Sequence, residues 1–276
     1  MGIHSTVRFV KASRRGFTII ETMLVLAVTG VMIAALLVGI GGSINAQRYK
    51  DSVVSLKSVL QGQYSMATNI NNDRTADWTC AASATPVKNP GGTAPGQSDC
   101  VLLGRYVSIV GGEIASAMIV GYQKDTAPAS NDVAEILNNY TLGVSSASID
   151  TTTIEWGSVI AWPSSGFESR GPTTPRSLAM LVIRSPSSGT TYTFTSDTVN
   201  DIESLSSGSL KSMMVASTAV VPGQAQRVIC VDANGVSVPD KIAIYISQAA
   251  SSASAIETRT NATLEALGGV AGDSRC

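Results

Sequence analysis

The sequence predicts an α+β protein: a long N-terminal helix, apolar in its first half and amphipathic in its second, packed on a mostly antiparallel β-sheet head. Three observations carry that prediction. Phe17 to Ile44 reads as 28 residues with a single charge, Glu21. Apolar residues then recur at helical spacing as far as Ile70, and beyond Asn72 the chain breaks into short β-branched and aromatic runs separated by Gly, Pro, Ser and Asn. The divisions that follow are a basic leader (1–16), a membrane-length helix (17–44), an amphipathic continuation (45–71) and a globular β-rich head (72–276).

The leader holds Arg8, Lys11, Arg14 and Arg15 and no acid, so the remaining 15 basic residues face 20 acidic ones. That balance disfavours a nucleic-acid surface built on net charge, and no nucleic-acid partner is evident. The apolar run exceeds the roughly 20 residues needed to cross a hydrocarbon core. A secretory signal has a shorter apolar stretch that ends at a small-residue cleavage site. Here Gly16 precedes the apolar run, directly after Arg14 and Arg15, so a cut at that glycine would remove the leader and keep the greasy helix.

After Ile44 the residues Tyr49, Val53, Leu56, Leu60, Tyr64, Ala67 and Ile70 recur at steps of three and four, with Arg48, Lys50, Asp51, Lys57, Gln61 and Gln63 on the other faces. Residues 17–71 therefore read as one helix, about 80 Å long at 1.5 Å per residue. A flexible stalk would instead show Gly/Ser/Pro composition after Ile44. In the head, strands are predicted over 101–110, 116–123, 152–162, 178–185, 190–196, 213–221, 226–232 and 242–248. A short helix is predicted near 132–140, and the tail 253–267 reads as helix or loop.

The four cysteines are Cys80, Cys100, Cys230 and Cys276, none in a CxxC pair. An even count in an exported chain points to disulfides. Of the three possible pairings, Cys80–Cys100 with Cys230–Cys276 is the expected one. The first would close a loop rich in proline and glycine, stabilising it by about 3 kcal/mol in the chain-entropy account.

Candidate catalytic chemistry is sparse. The single histidine, His4, lies in the leader, which removes Ser-His-Asp, Cys-His and His-ligated zinc mechanisms from the rest of the chain. No SxxK, GxSxG or GxxxxGK[ST] pattern occurs. No catalytic residue and no resident cofactor are expected, and calcium is the one metal candidate. Asp232, Asn234 and Asp240 are oxygen donors suited to it. The competing reading of that segment is a hairpin turn at Asn234-Gly235. Trp156, Trp162 and Tyr106 read as core beneath the sheet in preference to a ligand platform.

The block Arg14-Arg15-Gly16, then Phe17 to Glu21, then TMLVLAVTG resembles the type IV prepilin signal of pilins, type II secretion pseudopilins and competence pilins. The resemblance covers about residues 12–45 and implies a pilin-like fold. It implies a membrane prepilin peptidase that cuts between Gly16 and Phe17 on the cytoplasmic side and N-methylates Phe17. It also implies that Glu21 pairs with the Phe17 amine of a neighbouring subunit and sets axial register. Gly30 matches a glycine common in that helix. Val38 stands where many major pilins carry a helix-breaking proline, and Gly39, Gly41 and Gly42 follow it.

The function implied is a structural subunit of a pilus-like filament. Its partners would be the prepilin peptidase and N-methyltransferase, other pilin subunits and an inner-membrane assembly platform. It would be a single-pass cytoplasmic membrane protein before assembly, and part of an extracellular pilus or periplasmic pseudopilus after. Two alternatives stand beside it: a minor pilin or pseudopilin of a secretion or DNA-uptake system, and, more remotely, a membrane-anchored periplasmic enzyme or binding protein.

Overall fold

Helix α1 runs without interruption from Ile19 to Thr68, and burial divides it. Its buried residues begin only at Tyr49 and continue as Ser52, Val53, Leu56, Leu60, Gln63, Tyr64 and Ala67, the i, i+3, i+4 stripe of an amphipathic helix. This is a computed structural model, and it describes residues 16, 18–69, 78–89, 91, 97–163, 176–218, 226–235, 241–260 and 276. Ile70 and the last residue of the predicted helix therefore lie outside the described residues. The chain divides into two units, Met1–Ile44 and Asn45–Cys276.

In the first unit, α1 is long and apolar enough to cross a membrane, and none of its most apolar stretch is buried. Ile20, Leu26, Val31 and Val38 are each more than two-thirds exposed. Helix continues through Gly30, Gly39, Gly41 and Gly42, where an added Cβ would meet nothing within 4 Å.

Among the described residues the second unit adds eleven strands and two short helices to the amphipathic part of α1. In chain order these are β1 (Trp78–Cys80), β2 (Pro86–Lys88), β3 (Cys100–Val110), β4 (Glu113–Gln123), α2 (Asp132–Asn139), β5 (Tyr140–Thr153), β6 (Val159–Ala161), β7 (Ser177–Arg184), β8 (Thr191–Ser196), α3 (Ser207–Thr218), β9 (Arg227–Asp232), β10 (Ile242–Ile246) and β11 (Ile256–Thr260). Every strand pair among the described residues is antiparallel. They form a five-stranded sheet β5-β4-β3-β7-β8, a four-stranded sheet β11-β10-β9-β6 and the small hairpin β1-β2.

The five-stranded sheet is covered on both faces. On one face Val107, Ile109, Ile114, Leu178, Met180 and Val182 join the α1 stripe. On the other, Leu103, Tyr106, Ala117, Ile119, Ala179, Leu181 and Ile183 pack with Val133 and Ile136 of α2 and Leu210, Met213 and Met214 of α3. Strand β7 explains why Leu178 to Ile183 is an unbroken apolar run: successive side chains point to opposite faces, and both are buried. In β3 the register shifts between Leu102 and Gly104, so Leu103 and Tyr106 share a face despite unlike parity.

The α1 core also takes Ile229, Val231, Ile244, Ile246 and Ile256 from the four-stranded sheet, so one helix stripe covers both sheets. Backbone bonds join the sheets directly. Ile160 N–H donates to the Gly111 carbonyl, Gly111 N–H to Arg176, and Arg176 N–H back to Ile160.

Four departures from expectation have physical causes. The strand expected over 213–221 is helix α3 up to Thr218, its remainder lying outside the described residues. Ser206 caps α3: its hydroxyl accepts from Ser209 N–H, while Ser206 N–H donates to the Ser209 hydroxyl. Leu210, Met213 and Met214 then fall on one face, overriding the β-branched flavour of the run. The strand expected over 152–162 is the end of β5, a 3-10 turn at Glu155–Gly157, and β6. Of the tail 253–267, Ala253–Ala255 is a 3-10 turn and Ile256–Thr260 is β11; the rest lies outside the described residues. Trp156, expected in the core, is 58% exposed, whereas Trp162 and Tyr106 are buried.

Tyr49 ties α1 to the four-stranded sheet beyond packing. Its hydroxyl accepts from Ile242 N–H at 2.7 Å and donates toward the carbonyls of Val231 (3.0 Å) and Ile242 (3.3 Å). Burial, with a smaller push from the Asp232 carboxylate, raises its pKa from 10.0 to about 12 against the opposing Ile242 hydrogen bond. Burial also raises Tyr64 and Tyr106. A folded-state pKa above the unfolded value means that the native state holds the proton longer. The associated stability is complete below pH 10 and drains away as pH climbs from 10 to about 12. Tyr49→Phe is expected to lower stability at neutral pH by about 1–3 kcal/mol, because two backbone groups lose their partner. It should also flatten the alkaline loss, as read from denaturant melts at several pH values.

Candidate functional site

The site expected at the N-terminus begins where α1 begins. Thr18 immediately precedes the helix, and its carbonyl accepts the first helical bond, from Thr22 N–H. Glu21 N–H donates to the Thr18 hydroxyl at 3.3 Å, and Thr18 N–H donates to Glu21 Oε2 at 3.5 Å. This is a capping box, in which two otherwise orphaned helix-end donors are satisfied reciprocally. The carboxylate also lies at the positive end of the helix dipole. Gly16 is exposed, and Phe17 and the leader lie outside the described residues. The capping role of Glu21 is additional to the one expected from its charge, and its T-x-x-E signal lies in Thr18-Ile19-Ile20-Glu21.

Beyond Glu21 the helix presents apolar side chains all round to Ile44, with Thr22 and Thr29 hydroxyls turned back onto the carbonyls of Ile19 and Val25. Such a surface has no stable home in water: at roughly 25 cal/mol per Å² its exposure is costly, and lipid or other helices must cover it. Glu21 is the one charged side chain from Thr18 to Gln47.

In the head the structure brings Cys80 to Cys100 and Cys230 to Cys276 as disulfides, closing separations of 20 and 46 residues. Cys80 and Cys100 join β1 to β3. Cys276 packs with Val228, Ala243 and Tyr245 on the face of the four-stranded sheet away from α1.

Asp232 and Asn234 are used locally. Asp232 Oδ1 accepts from Asn234 N–H at 2.8 Å, and Oδ2 pairs with Lys241 Nζ at 3.4 Å. Asn234 (φ +49°) and Gly235 (φ +92°) occupy the left-handed region that such a turn requires. Asp240 lies outside the described residues. Among the described residues no group of three or more His, Cys, Asp and Glu is placed to hold a metal.

The buried charges are structural. Arg105 donates to Gln63 of α1, to Ser116 and to Asp150 at 3.0 Å. Arg176 reaches the Val228 carbonyl, pairs with Asp197 at 3.2 Å and stacks 3.9 Å from the Trp162 ring centroid. Arg227 approaches the same Asp197 at 3.7 Å. Asp197 thus joins the end of β8 to both β7 and β9, and Trp162 serves as an arginine platform within the fold. Tyr106, in the opposite core, donates to the Asn200 carbonyl. The three aromatics expected together are put to three separate uses.

A model of the prokaryotic N-terminal methylation motif matches residues 11–37, the signature of type IV prepilins. No curated protein and no solved structure matches the chain. The match spans Lys11 to Gly16, Phe17, the capping box and the apolar stretch as far as Leu37. It implies processing by a prepilin peptidase and assembly with other pilins.

Proposed function

We propose that the chain is a structural subunit of a type IV pilus-like filament. It is made as a membrane prepilin, cleaved after Gly16, N-methylated on Phe17 and polymerised through its apolar helix. The observation that carries this reading is the pairing of the methylation motif with an apolar helix that is uncovered on every side. Lipid covers that helix before assembly and sister helices cover it afterwards. Repeated head-to-tail contacts that do not close into a ring give an open helical polymer. The disulfide-braced head forms the outer surface. No catalytic role and no resident cofactor are assigned.

Cleavage frees a positive amine on Phe17, and Glu21 supplies its counter-charge on the adjacent subunit. Both groups can stay near the cytoplasmic interface while the subunit is in the membrane. Inside a bundle of apolar helices an unpaired carboxylate would be expensive, so pairing selects the register in which the two meet. An antibody to the head, applied to sheared filaments under the electron microscope, is expected to decorate the shaft. Label at the tip alone would make the chain a minor subunit. Filaments without label, in cells that express the chain, would contradict assembly.

A further inference from the structure

The α1 face of the five-stranded sheet is left bare where the helix ends. Met66, near the end of α1, is 51% exposed, and Val101, near the start of β3, is 40% exposed. Both line a cleft of about 1220 Å³ that runs from the hairpin β1-β2 to the turn between β7 and β8. The Cys80–Cys100 bridge forms part of its wall and fixes β1 to β3. Across the cleft Arg105, Met118 and Ser145 stand opposite one another on β3, β4 and β5. The Arg105 side chain is 4% exposed, and its Nε and Nη2 donate to Gln63, Ser116 and Asp150. Its Nη1 has no hydrogen-bond partner among the described residues, and neither does the hydroxyl of Ser145, a residue 7% exposed. Neither atom is sealed from solvent. Arg184 lies two residues beyond Val182, the β7 partner of Arg105, and so shares its face about 7–8 Å away. Its Nε donates to the Gly189 carbonyl at 3.2 Å, and its two Nη groups donate to nothing among the described residues.

We infer that this cleft binds an acidic saccharide, a chain of two or more sugar rings whose carboxylate is held by Arg105 and Arg184. Among the described residues the lining carries these two arginines and one carboxylate, Asp150, a local surplus of one positive charge in a chain of net charge −1. A surplus of one matches a carboxylate better than a phosphate group, which carries about −1.5 to −2. Guanidinium nitrogens left without partners suit the paired oxygens of such an anion. The cleft exceeds the roughly 300–1,000 Å³ of a small-molecule pocket, so its ligand is longer than one ring. Met66, Trp78 and Met118 supply apolar surface for the C–H faces of sugar rings, and the Ser145 hydroxyl is available to their hydroxyls. An acidic peptide fits less well. Arg105 and Met118 are each strand-paired on both sides, so a peptide finds no open backbone edge beside them. Every residue of the cleft lies in the second unit, and the inference is independent of polymerisation.

The test titrates trigalacturonate into the full chain in micelles of an uncharged detergent, followed by calorimetry. Two controls accompany it: maltotriose, which has the rings without the charge, and triglutamate, which has the charge without the rings. Trigalacturonate should bind saturably, and each control should bind at least tenfold more weakly. Arg184→Gln should weaken trigalacturonate binding at least tenfold, because a charge-assisted contact is lost. Ser145→Ala should weaken it about two- to tenfold, and it removes a hydroxyl that the fold itself does not use, so it reports on the cleft even if Arg184→Gln fails to fold. Arg105 is left in place, because its bonds to Gln63 and Asp150 hold the fold together. No binding of trigalacturonate, or equal binding by wild type and both variants, would overturn the inference. Equal affinity for maltotriose would remove the arginines from recognition and overturn it too. Equal affinity for triglutamate would make the cleft a peptide site and overturn the saccharide assignment. The proposed filament role stands under each of these results.

Discussion

Glu21→Ala is expected to leave cleavage after Gly16 intact and to reduce filament yield at least tenfold. The peptidase reads the leader and the residues at the cut, which the substitution leaves alone. Assembly loses the only anionic group within the apolar helix. An interaction of as little as 1.4 kcal/mol per subunit changes an equilibrium about tenfold, and a growing polymer meets that deficit at each addition. The capping box supplies a competing explanation, because alanine also removes the Thr18–Glu21 pair and would cost the helix end about 1 kcal/mol. Glu21→Gln separates the two: glutamine at this position still completes a capping box but carries no charge. Charge pairing predicts that Gln is as defective as Ala, whereas capping predicts near-normal yield with Gln. The readouts are the ratio of uncleaved to mature chain on an immunoblot and the yield of sheared filaments. Wild-type yield in both variants would remove Glu21 from assembly.

The largest effect on the head should come from Gly104→Ala. Gly104 lies in β3 at the register shift, between β4 and β7. A Cβ built there would stand 1.9 Å from the Val182 carbonyl oxygen and 2.9 Å from the Ile183 Cα. Both are backbone atoms of the sheet's most buried strand, so no side chain can swing aside to make room. Overpacking of this kind costs typically 1–3 kcal/mol and sometimes more. The same chemical change at Gly62 should do the reverse. Gly62 is within α1, where an added Cβ meets nothing within 4 Å, and alanine gains up to about 1 kcal/mol of helix propensity. Thermal melts of the two variants beside wild type are expected to move in opposite directions. A Gly104→Ala protein as stable as wild type would mean that β3 and β7 do not approach so closely.

The parts of the fold legible in the sequence are those where one physical signal dominates. The stripe from Tyr49 to Ala67 repeats at helical period for five turns, and all six of its described members are buried. Leu178 to Ile183 is apolar at every position, as a strand covered on both faces must be. Less legible were segments where burial and propensity disagree. In α3 the β-branched flavour of the run points to a strand, while the Ser206 cap and the Leu210-Met213-Met214 face make it a helix. β5 carries Ser, Thr and Asp over its second half because it is an edge strand largely open to water, which removes the alternation that marks a half-buried strand. The residue type of Trp156 points to the core, whereas it lies with Glu155 and Gly157 in a tight turn with left-handed backbone at Trp156 and Gly157. At the N-terminus the motif was readable residue by residue. The double use of Glu21 is harder to see, because a lone charge in an apolar helix is a far stronger signal than a three-residue spacing from Thr18.

The central claim is that the apolar helix is kept on the finished subunit and starts at a modified Phe17. Intact mass spectrometry of the chain purified from its native host measures this directly. The account predicts loss of residues 1–16 and gain of one methyl group, with fragment ions placing that methyl on the Phe17 amine. A mature chain that still begins at Met1, or one cut beyond Ile44 so that the apolar helix is gone, would contradict it.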